Sequence, residues 1–91
     1  MSEAIETQAH LRLGEAQRGY SGTITRIAAD GAGSALSAAE LESRLIELGF
    51  VEGARVEVLH EGAVGRDPIA VRVENVTIAL RRREAMAIFV A

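Results

Sequence analysis

The chain has 91 residues, a formal net charge of −3 and no cysteine, which suits a single domain and excludes disulfides, thiolate metal sites and cysteine nucleophiles. Its 48% hydrophobic and 25% charged residues describe a globular chain, whose small size leaves a modest core and little room for a deep substrate cleft. A negative balance argues against a nucleic-acid partner, because contacts from basic side chains to phosphates supply most of the affinity in such complexes.

Residues 1–10 mix Glu3, Glu6 and Gln8 with small residues and are read as a flexible N-terminal extension. They lack the basic start and apolar run of a secretory leader. No stretch approaches the roughly 18 apolar residues of a membrane span, and an unstapled chain of this size suits a reducing compartment. The expected location is therefore cytoplasmic, without membrane insertion. The domain proper is expected over residues 11–91, opening with a short strand in which Leu11 and Leu13 alternate with His10 and Arg12. Gly19 and Gly22 bracket a turn. The β-branched run from Thr23 to Ile27 then predicts a strand. Ile24 and Ile27 stand three apart, so placing both inward requires a bulge. Asp30 to Ser34 is a Gly-rich connector.

The clearest local signal follows. Ser37-Ala38-Ala39-Glu40 is a capping box, with Leu36 and Leu41 spaced as a hydrophobic staple. Ala38, Leu41, Leu45 and Leu48 recur at helical spacing as one apolar stripe. Gly49 and Phe50 stand where a Schellman ending needs a left-handed residue and an apolar one. A helix over residues 38–48 is expected.

Downstream, Glu52-Gly53 predicts a turn, and Arg55 to Val58 alternates with its valines inward. Gly62 and Gly65 frame a loop to Asp67-Pro68, proline being tolerated at the first position of a strand. Ile69, Val71 and Val73 face one side of the next strand. Glu74-Asn75 is read as a tight turn because Asn accepts positive φ. Ile78 and Leu80 point inward from the return strand, residues 82–86 form a helical turn, and residues 87–90 close the chain as a strand. About five short strands with one helix inserted after the first predict a mainly β fold, a small barrel without exposed edges.

Three stretches, Arg44 to Val56, Gly65 to Ile69 and Ile78 to Ala85, taken with Gly19-x-x-Gly22-Thr23-Ile24-x-x-Ile27, resemble the FeoA family, the small ferrous iron transport protein A. The resemblance covers about Leu11 to Val90, nearly the whole chain. It implies an SH3-like β-barrel and a role in bacterial ferrous iron uptake. The implied partner is the cytoplasmic, GTP-binding part of the FeoB iron transporter. It also implies kinship with the SH3-like domains at the C-terminus of iron-dependent transcription repressors, which supplies the alternative reading of a regulatory domain. A chain opening at Met1 is read as lacking the helix-turn-helix such a regulator needs. The N-terminal extension and the Asp30–Ser34 loop are longer than the family pattern.

No enzyme is expected. A nucleophile needs a base within hydrogen-bond reach, and the two histidines, His10 and His60, stand in no catalytic or metal-spaced motif. His60, Glu61 and Asp67 have the chemistry for ferrous iron, but adjacent ligands on a loop favour a solvated reading, so no metal site and no cofactor are assigned. The remaining possibility of a metal chaperone would show as stoichiometric Fe²⁺ binding. For partner contacts, Ile46 lies off the helix stripe and is a candidate interface residue, flanked in sequence by Arg44 and Glu47. Arg81-Arg82-Arg83 is a second candidate, suited to an acidic surface, against the plainer reading of a solvated turn.

Overall fold

The computed structural model describes residues 11–29 and 37–91. A 3-10 turn, Leu13–Glu15, leads to strand β1 (Ser21–Ile27) and helix α1 (Ala38–Glu47). Strands β2 (Arg55–Glu61), β3 (Ile69–Val73) and β4 (Val76–Leu80), a helical turn α2 (Arg82–Ala85) and strand β5 (Ile88–Val90) follow. The five strands form one antiparallel sheet in the order β4-β3-β2-β1-β5. The expected mainly β architecture of five strands with an inserted helix is present.

The sheet bends at β1. Its first half, Ser21 to Thr23, pairs with β2. Its second half pairs with β5, and the register slips between Ile24 and Arg26. This is the bulge that the spacing of Ile24 and Ile27 demands: it turns Ile24 into the core and leaves Ile27 half-buried against it. A second slip, between Val58 and His60, bends β2 against β3. Bulges increase local twist and re-aim a strand, so one strand serves two partners and the sheet coils around a single core.

That core joins the inward valines and isoleucines of the strands to Leu41, Leu45 and Phe50 from the helix and its ending. Helix α1 begins as its sequence requires. Ser37 Oγ accepts from the Glu40 amide at 3.2 Å, and Glu40 Oε1 accepts from the Ser37 amide at 3.0 Å. It ends as a Schellman motif: the Phe50 N–H donates to the Leu45 carbonyl and the Gly49 N–H to that of Ile46, both at 3.0 Å. Gly49 has φ 110°, a conformation that strains residues bearing a Cβ. The stripe is narrower than expected, because Ala38 is exposed. At the first residue of the helix that face is still open, and the core covers it from Leu41 onward.

Three local expectations need correction. Leu11 to Leu13 is not a strand: Arg12 makes one isolated bridge to Phe89 and Leu13 enters the 3-10 turn. The chain coils there with Leu13 fully buried, and the Gly14 and Ala16 carbonyls accept from the Arg82 guanidinium instead of a neighbouring strand. The Gly19–Gly22 turn is shorter than read, since β1 already begins at Ser21. The β3–β4 turn takes its positive φ, 54°, at Glu74 rather than Asn75. There Glu74 Oε2 accepts from the Arg55 amide at 3.1 Å, anchoring the turn to β2. The N-terminal extension, the Asp30–Ser34 connector and the Leu36 staple lie outside the described residues.

Candidate functional site

Helix α1 turns Leu41 and Leu45 to the sheet and leaves Ile46 half-exposed, at 50%, about 100° further around the helix. Immediately after the Schellman ending, Val51 is 42% exposed. At the far end of β1, Ile27 reaches the surface beside them. With Arg26 and Glu52 these residues line a shallow open groove between the C-terminal end of α1 and β1. Apolar side chains gain about 25 cal/mol per Å² on losing water, so this is a surface suited to an apolar partner group. Arg44 and Glu47 are exposed but do not line the groove. Arg44, two positions from Ile46, faces another side of the helix.

The arginine run divides. Arg81 and Arg83 are exposed, whereas Arg82 is half-buried and turned into the protein. Its guanidinium donates to the carbonyls of Ala16 at 2.7 Å, Gly14 at 3.1 Å and Arg66 at 2.7 Å, and to Glu61 Oε1 at 2.9 Å. Its amide donates to Asp67 Oδ1 at 2.9 Å. Glu61 and Asp67 are thereby committed to Arg82, and His60 stands exposed on β2. Among the described residues no three His, Asp or Glu side chains converge on one point.

Sequence reasoning passed over a cluster next to the groove. Arg26 on β1 pairs in register with Phe89 on β5, and Arg12 bridges Phe89 from the other side. The guanidinium carbons lie 4.1 Å (Arg26) and 4.8 Å (Arg12) from the centre of the Phe89 ring. Phe89 is only 5% exposed yet stands apart from the core cluster. The two arginines lie over its ring. An aromatic residue between inward Ile88 and Val90 must point outward, which was the available signal. Its arginine neighbours required the strand pairing.

A second groove, lined by Ser21, Arg55, Glu57, Arg72 and Glu74, is electrostatically satisfied from within. Arg72 pairs with Glu57 at 2.7 Å, and Arg55 Nη2 donates to Ser21 Oγ at 3.3 Å. The Tyr20 hydroxyl is buried with no hydrogen-bond partner among the described residues, and burial raises its pKa. No helix of the described residues is long and apolar enough to cross a membrane.

Residues 11–91 match the FeoA domain model. Among solved structures, a zinc-complexed FeoA from Stenotrophomonas maltophilia is 32% identical with a TM-score of 0.72, covering 89% of each chain. It is described as a prokaryotic SH3 domain protein and a candidate activating factor for bacterial ferrous iron transport. The FeoA protein from Chlorobium tepidum is 34% identical with a TM-score of 0.66, over 88% of this chain and 68% of that one. The T. acidophilum IdeR, 21% identical over 33% of its own length with a TM-score of 0.65, shares the fold alone. No curated protein sequence matches the chain at a significant level.

Proposed function

This chain belongs to the FeoA domain family, an iron-transport family of SH3-like fold, and from that membership we propose that it is a non-enzymatic cytoplasmic accessory protein of ferrous iron uptake. On this reading it binds the cytoplasmic, GTP-binding part of a FeoB-type transporter and modulates it. The observation that carries the proposal is the groove formed by Ile27, Ile46 and Val51, an apolar opening, whereas the groove lined by Ser21, Arg55, Glu57 and Arg72 is internally paired. An accessory domain changes a transporter's behaviour only by binding one conformation better than another. A small apolar anchor of this kind gives modest affinity and fast exchange, which suits a modulator more than a permanent subunit. Arg44, Glu47, Arg81 and Arg83 remain candidate flanking contacts, since all four are exposed. Arg82 is left out, because its donors are taken by the chain itself.

The test is affinity for the intact transporter in neutral detergent, measured by calorimetry with and without guanine nucleotide. Ile46→Asp places a charge where the apolar anchor sits and should weaken binding at least about tenfold, with the circular dichroism of the free protein unchanged. Binding indifferent to this substitution removes the groove from the model. No binding by the wild-type protein removes the transporter.

A further inference from the structure

We propose that Arg12 and Arg26, braced on Phe89, form a carboxylate-reading end to the Ile46 groove, so that the partner segment seated there carries an apolar anchor with an Asp or Glu at its Arg26 end. This rests on the reading that the groove meets the transporter's cytoplasmic part, and it adds the chemistry of what is recognised.

The arrangement follows from pairing. Arg26 and Phe89 are register partners across β1 and β5, and Arg12 lies opposite Phe89 on the other edge. Neighbouring strands are about 4.8 Å apart, so the two arginine α-carbons are held about 10 Å apart with the ring between them. Stacking engages the flat face of a guanidinium and leaves its N–H edge available for a planar carboxylate. At 4.1 and 4.8 Å from the ring centre both groups are in stacking range. The rotamer entropy that an arginine loses on binding is thus partly lost already in the free protein.

Charge sets the kind of partner. The chain as a whole is acidic, yet among the described residues neither arginine is within salt-bridge distance of a carboxylate or donates a side-chain hydrogen bond. Arg55, Arg72 and Arg82 all spend donors internally. Arg26 also lines the groove, so the cationic end and the apolar floor are continuous. Glu52 stands among the same lining residues. It would repel an acid and so fixes which end of the segment carries it.

The experiment is a salt series of affinities for the intact transporter in neutral detergent, with three forms of the protein. The Arg12→Gln/Arg26→Gln double variant should bind about tenfold more weakly at low ionic strength and lose most of the salt dependence. Arg12→Lys/Arg26→Lys keeps both charges and should retain the salt dependence, which excludes loss of folding as the cause. Unchanged affinity and salt slope in the Gln variant, with the wild-type protein binding, overturns this proposal alone. A wild-type protein that does not bind overturns the parent reading and this one together. Equal binding to phosphatidylserine vesicles lacking transporter, or concentration-dependent self-association abolished by the Gln variant, also overturns it, since the arginines would then serve a lipid surface or a second copy.

Discussion

Arg82 Nη2 donates to Glu61 Oε1 at 2.9 Å, joining the turn α2 to the end of strand β2. The same side chain also holds the carbonyls of Gly14, Ala16 and Arg66. Side-chain exposures of 21% and 25% make this a partly buried pair. Removing one partner of such a pair leaves the other, and three carbonyls, short of hydrogen bonds. Arg82→Ala should cost about 2–3 kcal/mol, read as a fall in the urea midpoint. Arg82→Lys should recover little, because an ammonium has no planar fork to reach carbonyls on several sides.

Arg72 and Glu57 form the shorter ion pair, at 2.7 Å, but their side chains are 52% and 37% exposed. Exposed pairs contribute little after side-chain entropy and screening. Arg72→Ala should therefore change stability by no more than about 0.5 kcal/mol. A loss comparable to that at Arg82 would show that distance rather than burial ranks these two pairs.

Gly22 sits where a Cβ would collide with the Tyr20 hydroxyl and approach the Ala91 carbonyl at 2.6 Å. That carbonyl is fixed, accepting from the Thr23 amide at 3.0 Å. Gly22→Ala should cost about 2 kcal/mol. Tyr20→Phe removes one obstacle and a buried hydroxyl without a partner among the described residues, so alone it should stabilise by up to about 1 kcal/mol and in the double variant recover part of the loss.

The same hydroxyl gives a pH dependence of known sign. Burial raises the Tyr20 pKa above its ordinary value of 10.0. Below that value the phenol is protonated in both states and stability is complete. As pH rises past it, the unfolded chain loses the proton first, and stability falls until the folded phenol also ionises. Tyr20 is the one tyrosine in a chain without tryptophan. Its ultraviolet titration should show an alkaline-shifted midpoint in the folded protein, and Tyr20→Phe should flatten this alkaline loss of stability.

Much of the fold was legible because its signals are local. The capping box needs Ser37 and Glu40 alone, and the Schellman ending needs Gly49 and Phe50. The bulge follows from Ile24 and Ile27 being one residue too far apart to alternate. What stayed hidden depended on partners distant in sequence. Arg82 read as one of three surface charges because its carbonyl partners at Gly14 and Ala16 lie 68 and 66 residues away, and backbone acceptors leave no trace in side-chain chemistry. Ile46 was visible as a residue off its helix stripe. Val51 and Ile27 became neighbours only once the chain at Gly53 and Ala54 was bonded to β1, and the Arg12–Phe89–Arg26 row only once β1 was paired with β5.

The two ends of α1 allow a clean separation of causes. Ser37→Ala removes the hydroxyl that accepts from Glu40 and should cost about 1 kcal/mol. Gly49→Ala adds a Cβ that meets Val73 at an ordinary 3.8 Å, so no clash contributes and the cost is that of holding φ at 110°, about 1–2 kcal/mol. Asn accepts positive φ more readily than other side-chain-bearing residues, so Gly49→Asn should cost less than Gly49→Ala. The two ends share no hydrogen-bond partner, and the Ser37→Ala and Gly49→Ala losses should add to within about 0.5 kcal/mol in chemical denaturation. A combined loss well below the sum would mean that the helix frays as one unit after its first end is weakened. Leu41 and Leu45 would then be held by the cap as much as by the sheet.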